Sequence, residues 1–271
     1  MNLVNGAASD AASATDRGLA YGDGIFRTLL IRAGRPVWWR RHAAKLASDC
    51  AAVGIACPRL DQFERDLGAL ARETPDCVIK IIVTRGSGPR GYAPPVNASP
   101  TRIVTSSPLP AHPRDWHEHG VHVHLCRLRL ARQPVLAGIK HLNRLEQVLA
   151  RAEWNDPAVA EGLLCDTGDL VIGGTMTNVV LVRQGALVTP DLTSCGVAGV
   201  TRGLVLELAR ENGVATHVQA VSIDDLLGSD EVFLINSVIG VWPVAKLDCK
   251  TWPVGPVTAQ VRKWLQSADD R

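Results

Sequence analysis

Three observations predict an α/β (α+β) protein in two parts. Strand-like and helix-like stretches follow one another along all 271 residues, a length sufficient for two domains. Three prolines within six residues, in Ser107-Pro108-Leu109-Pro110-Ala111-His112-Pro113, interrupt that alternation. They divide the chain into a small N-terminal α/β domain over 1–107, a linker over 108–119 and a larger C-terminal α/β domain over 120–271. Apolar residues make up 46% and charged residues 21%, the balance of a globular core with a solvated surface.

Composition also excludes several classes of function. A formal net charge of +2, with no stripe of Lys and Arg, is too weak to attract nucleic acid. Seven scattered cysteines form no C-x-x-C pair, which suits reduced thiols rather than a disulfide framework or a zinc site. The first residues lack the basic and long apolar parts of a signal peptide, and no apolar run reaches spanning length. The expectation is a cytoplasmic protein with no membrane contact.

A short strand and turn open the chain. Thr15-Asp16-Arg17-Gly18-Leu19-Ala20-Tyr21-Gly22-Asp23-Gly24 then concentrates glycines and polar side chains, and reads as a loop or hairpin start. A strand follows at 29–32, returning through Ala33-Gly34-Arg35-Pro36. Over 41–53, Leu46, Cys50 and Val53 fall at helical spacing and Gly54 is placed to stop the helix. Lys45 lies in its first turns, where a cation opposes the helix dipole and gains from a nearby anion. A second helix over 60–72 leads to a largely apolar, buried strand at 77–84. Further strands are expected at 102–105 and 121–125.

The segment Arg85-Gly86-Ser87-Gly88-Pro89-Arg90-Gly91-Tyr92 contains G-x-G-x-x-G. It runs into Pro94-Pro95 instead of a helix, and no acidic residue follows at the distance a dinucleotide site needs. It reads better as a loop whose Arg85 and Arg90 suit a carboxylate or phosphate, or as an ordinary loop with solvated arginines. His122 and His124 share a strand face just after His112, His117 and His119. No neighbouring Asp, Glu or Cys completes a ligand set, so no metal is expected.

The central stretch Ala137-Gly138-Ile139-Lys140-His141-Leu142-Asn143-Arg144-Leu145-Glu146 puts Lys140 at the mouth of an amphipathic helix carrying Leu142, Leu145, Leu149 and Ala152 on one face. Positive neighbours and partial burial both disfavour an ammonium, and a lysine that sheds its proton suits Schiff-base chemistry. The alternative is a solvated lysine at a helix start. Strands and hairpins follow over 162–189, and Gly199-Val200-Thr201-Arg202 then opens a helix that Gly213 stops. Exposed backbone N–H groups, a hydroxyl and the positive dipole end make this the strongest anion site in the chain, or else a plain capped helix. Ser237, at the end of a strand over 230–237, adds a hydroxyl or caps a turn.

A tunable lysine with a phosphate cradle suits pyridoxal phosphate chemistry, and here the motifs become specific. Asp16-Arg17-Gly18-Leu19-Ala20-Tyr21-Gly22-Asp23-Gly24-Ile25-Phe26, His42-x-x-Lys45-Leu46, the Arg85 to Tyr92 loop, the Lys140 stretch and Gly199-Val200-Thr201-Arg202 resemble those of the 4-amino-4-deoxychorismate lyases. These are fold-type IV pyridoxal phosphate enzymes, grouped with the branched-chain and D-amino acid transaminases. The resemblance spans nearly the whole chain and implies two α/β domains with the cofactor at their interface, in a homodimer. It implies 4-amino-4-deoxychorismate as a small-molecule substrate, converted to p-aminobenzoate and pyruvate in folate biosynthesis. Lys140 matches the Schiff-base lysine and Thr28 a threonine that assists the lyase reaction. Lys45 stands where a phosphate-binding arginine is usual. Gly199, Val200, Thr201 and Ser237 match further phosphate contacts, and Arg85, Arg90, Tyr92 and Arg27 fall to the substrate.

Beside the milder change at Lys45, two positions depart from the family pattern. Gly173 stands where a glutamate usually pairs with the pyridine nitrogen, and Arg27 where many relatives carry an acidic or small polar residue. Without the glutamate the ring is a weaker electron sink. That harms a transaminase, which must hold a carbanion, more than a lyase, whose intermediate drains forward to an aromatic product. Gly173 thus favours the lyase over a D- or branched-chain-type aminotransferase, and by itself it favours a cofactor-binding protein that has lost catalysis over either; the motifs as a whole put the lyase first, with the other two as alternatives.

Overall fold

A computed structural model of the chain describes residues 1–268, which divide into two compact units. The first comprises residues 1–111 together with 139–143, and the second residues 112–138 and 144–268.

The first unit contains β1 (Asn2–Val4), β2 (Ala7–Ala8), α1 (Arg17–Tyr21), β3 (Gly24–Arg32), β4 (Arg35–Pro36), α2 (Trp39–Ala52), α3 (Leu60–Glu73), β5 (Cys77–Thr84) and β6 (Thr101–Ser107). Its strands form one antiparallel sheet in the order β2-β1-β6-β5-β3-β4. Strand alternation sends Ile25, Leu29 and Ile31 of β3 and Ile79, Ile81 and Val83 of β5 into a core with Leu46 and Cys50 of α2 and Phe63, Leu67 and Leu70 of α3. Phe26, Thr28 and Leu30 therefore occupy the opposite face. Arg27 falls in the inward row and is 2% exposed, a cation in an otherwise apolar layer. The loop expected around Arg17 is a short helix: Asp16 accepts the Gly18 N–H, and Gly22, at φ 66°, closes the turn.

The second unit contains α4 (Asp115–Glu118), β7 (Val121–Leu130), α5 (Leu145–Arg151), β8 (Val159–Asp166), β9 (Val171–Gly174), β10 (Asn178–Arg183), β11 (Ala186–Pro190), α6 (Val200–Glu211), β12 (Thr216–Gln219), α7 (Ile223–Leu227), β13 (Glu231–Asn236), β14 (Gly240–Leu247), β15 (Lys250–Thr251) and α8 (Pro256–Ser267). Its mixed sheet runs β12-β11-β10-β13-β14-β7-β8-β9, with β15 added beside β14. Leu163, Val179, Leu181, Leu234 and Trp242 anchor the core. Ser222 and Asp225 form the capping box that the sequence suggests at α7.

The largest departure concerns Lys140. Residues 139–143 are extended beside β3, where the Phe26 N–H donates to the Lys140 carbonyl and the Leu142 N–H to the Gly24 carbonyl, both at 2.9 Å. Backbone groups committed to β3 cannot feed an i to i+4 helical ladder, so the helix begins at Leu145. Nor does its apolar stripe face inward: Leu145 and Leu149 are exposed, with Val148 beside them, and Ala150 is the buried residue.

Candidate active site

In the first unit, Lys140 is positioned by that backbone pairing. Its Nζ lies 4.5 Å above the centre of the Phe26 ring. Thr28, two residues further along β3, shares the face with Phe26, and the ring of Phe26 also carries Lys80 Nζ at 5.0 Å. The lysine and the threonine singled out from the sequence thus lie on one face of one sheet.

Beneath that strand lies a charged cluster that the sequence reading missed. Asp49, one turn beyond Lys45 on α2, is paired with both the Lys45 ammonium and the Arg27 guanidinium. Its Oδ2 also accepts the backbone N–H of Lys140 at 3.4 Å. Arg27, expected at the substrate, is instead occupied inside the core, where burial lowers its pKa to about 10. Lys45 lies at the rim, its ammonium pushed down to about 8 by burial and by Arg27. The i, i+4 spacing of Lys45 and Asp49 on one helix was the available signal.

His42, one turn before Lys45, is 2% exposed, and neither ring nitrogen has a hydrogen-bond partner among the described residues. Burial first, then Arg27, pushes its pKa down to about 3. The unfolded chain therefore binds a proton below about pH 6.5 that the folded chain refuses, so stability falls as pH drops from there toward 3. The limiting slope is about 1.4 kcal/mol per pH unit. Denaturant titrations at neutral and mildly acidic pH should show this loss in the wild type and a shallower one in His42→Phe; equal slopes would refute it.

The glycine-rich loop divides its two arginines. Arg85 donates to Asp23 at 2.8 Å and to the carbonyls of Val53 and Gly54, which makes it a strut of the first unit. Arg90 is exposed, as is Tyr92, whose ring packs edge-on against Tyr21 at 5.4 Å. Arg17 holds the loop by donating to the carbonyls of Gly91 and Tyr92. Of the two arginines, Arg90 is the one left facing solvent.

In the second unit, α6 begins at Val200 after Gly199, an N-cap residue with no side chain to offer its first N–H groups. The hydroxyls of Thr201 and Ser237 are 2.9 Å apart beside that helix start. Asn178 fixes it from below: its carbonyl oxygen accepts the Gly199 N–H and its amide donates to Val197. Uncapped N–H groups, a positive dipole end and two hydroxyls fit a phosphate.

Gly173 lies on β9, and a Cβ there would meet the Thr177 carbonyl at 2.9 Å. A carboxylate does lie below this turn: Glu161 of β8, which is fully buried. Its Oε1 accepts from the Gly162 and Thr175 N–H groups and the Thr175 hydroxyl, and its Oε2 from the Met176 N–H and the Thr177 hydroxyl. Burial raises the Glu161 pKa against the pull of these donors. With both oxygens turned onto the 174–177 turn, Glu161 does not replace the glutamate missing at 173. Elsewhere in this unit, His124 meets Glu153 at 3.3 Å, with Cys126 close by. Glu153 came from too far along the sequence to be foreseen, and it also accepts the Arg127 and Leu128 N–H groups.

Taken unit by unit, Lys140 of the first offers an amine suited to the aldehyde of pyridoxal phosphate, and the α6 start of the second offers donors suited to a phosphate, while Gly173 offers no carboxylate for a ring nitrogen. Fold and donor set define a class of protein, and the amino-transferase class IV family model matches residues 24–247: the chain belongs to that family. Among individual relatives, it is similar to the aminodeoxychorismate lyase of Vibrio harveyi, with 34% identity over 97% of this chain and 98% of that protein. It superimposes on the crystal structure of 4-amino-4-deoxychorismate lyase from Pseudomonas aeruginosa with a TM-score of 0.95, at 48% identity and full coverage of both chains. The D-alanine aminotransferase of Bacillus licheniformis is 30% identical over 95% of this chain and 92% of its own.

Proposed function

We propose that this chain is a pyridoxal-phosphate-dependent lyase that converts 4-amino-4-deoxychorismate to p-aminobenzoate and pyruvate, a step of folate biosynthesis. The observation that carries the reading is the Lys140 ammonium over Phe26, on the face of β3 that also bears Thr28, in a chain 48% identical to a 4-amino-4-deoxychorismate lyase of known structure. When bound, pyridoxal phosphate supplies an aldehyde for the substrate amine and a ring that draws electrons from the neighbouring carbon. Lys140 is the residue that would hold the cofactor, through its amine, and arrival of the substrate amine would free it. Its freed amine then takes the proton from the amine-bearing carbon and returns one as the enolpyruvyl group leaves, with Thr28 assisting. Lys45 grips the phosphate, as do the N–H groups of Val200 and Thr201 and the hydroxyls of Thr201 and Ser237. Arg90, on its exposed loop, meets a substrate carboxylate.

The reading includes a homodimer, supported by the apolar surface that Leu145, Val148 and Leu149 expose on α5. It also includes a reducing, cytoplasmic setting, which suits seven free cysteines. No helix among the described residues is long and apolar enough to cross a membrane.

The test is pyruvate release from 4-amino-4-deoxychorismate by protein loaded with pyridoxal phosphate. Amino transfer from D-alanine or a branched-chain amino acid to a keto acid is measured beside it. Release of pyruvate without amino transfer supports the lyase. Amino transfer without pyruvate release would replace it with the aminotransferase reading.

A further inference from the structure

We propose that Asp49 is a positioning residue for phosphate capture, its buried carboxylate balancing Arg27 so that Lys45 stays cationic and aimed at the ligand. The proposal rests on the reading of Lys45 as a phosphate ligand. The side chain of Asp49 is 2% exposed, and its two oxygens divide the work. Oδ1 holds Lys45, while Oδ2 holds Arg27 and the backbone N–H that begins Lys140. One carboxylate therefore connects Lys45, the unusual arginine of β3 and the backbone of Lys140.

The groups facing this cluster fix the sign of its effect. They are Arg27 from β3, His42, Lys45 and Cys50 from α2, Cys57 from the segment after α2, and Lys140 from the extended stretch beside β3. His42 is neutral at working pH. Cys50 is held as a thiol, its pKa pushed up by its hydrogen bond with Cys57 and by burial. The same hydrogen bond draws the Cys57 pKa down. Among these groups Asp49 is the carboxylate. An arginine buried within reach of Lys45 repels its proton, and an anion placed between the two cations opposes that repulsion. Lysine is the side chain for which this matters, because its charge is lost far more readily than that of arginine. The departures at Arg27 and Lys45 are thus one arrangement, and Asp49 makes it workable.

Grip on a phosphate through Lys45 should fade as pH rises through the lysine pKa of about 8. The measurement is the ratio of the affinity for pyridoxal 5′-phosphate to that for pyridoxal, taken on the full chain from neutral to alkaline pH. The ratio isolates the phosphate contribution. In the wild type it should fall around pH 8. Asp49→Asn should move that midpoint down by about one pH unit or more, and Arg27→Thr should move it up. The double variant, which removes one charge of each sign, should return close to the wild type. An Asp49→Asn midpoint that stays put or rises, or a double variant no nearer the wild type than the single ones, overturns the proposal. If Asp49→Asn does not fold, an unmoved midpoint in Arg27→Thr overturns it equally. Lys45→Met tests the underlying reading: a wild-type ratio there would overturn the assignment of Lys45 itself, whatever Asp49 does.

Discussion

Lys140→Ala is expected to abolish pyruvate release, lowering turnover by about a thousandfold or more. On the proposed reading the variant removes two functions together: the amine that would hold the cofactor and the group that would move the proton on the substrate carbon. What it leaves intact makes the experiment informative. The carbonyl of residue 140 still accepts the Phe26 N–H, and its N–H still reaches Asp49, because both contacts belong to the backbone. Ile139 remains in the core of the first unit. The variant should therefore fold with a melting temperature near that of the wild type, so that loss of activity is not loss of structure. Borohydride treatment of loaded wild-type protein should fix the cofactor irreversibly on Lys140, located by peptide mapping, and the alanine variant should release it on denaturation. Turnover within about tenfold of the wild type would remove Lys140 from the chemistry.

How much of this was legible in the sequence depends on the range of the interactions concerned. The strands at 77–84 and 121–125 and the helices over 41–53 and after Gly199 were legible because apolar periodicity and glycine stops are local signals. The structure extends the second strand to Leu130 and otherwise moves the bounds by a residue or two. The Lys140 stretch misled because its apolar spacing is helical, while its backbone is claimed by β3 more than a hundred residues earlier, a contact no local pattern reports. The apolar stripe of Leu145 and Leu149 is real but faces outward. Periodicity shows that a face is apolar and not what covers it. Arg27 was drawn toward the substrate by its place in a family motif, yet strand alternation from Ile25 already sent it inward, and that reading was open to the sequence. Glu161 lay in a strand otherwise apolar from Gly162 to Cys165. A lone acid in such a run is a signal that the chain must supply donors for it, although not from where.

Those donors make Glu161→Gln the substitution expected to disturb the second unit most at the least change in volume. Both oxygens of Glu161 accept hydrogen bonds, three on Oε1 and two on Oε2, and each set includes at least one backbone N–H that cannot rotate away. An amide nitrogen in either place sets donor against donor in a site closed to water, and it removes the charge that strengthened every remaining bond. A threonine hydroxyl can turn to accept from the amide, but the backbone N–H left facing it finds an acceptor only if the 174–177 turn moves, and that turn runs directly into Asn178, whose side chain holds Gly199 and Val197 at the start of α6. The expected cost is about 3 kcal/mol of unfolding free energy, read from the denaturant midpoint at unchanged slope. A weaker grip on phosphate should accompany it, because Thr201 and its N–H follow Gly199 by two residues. Glu161→Gln with a midpoint within about 1 kcal/mol of the wild type would mean that the carboxyl is protonated in the folded protein, one of its hydroxyl partners then serving as acceptor. Burial pushes toward that state and the five donors oppose it, so the same titration decides which of the two governs the turn beside Gly173.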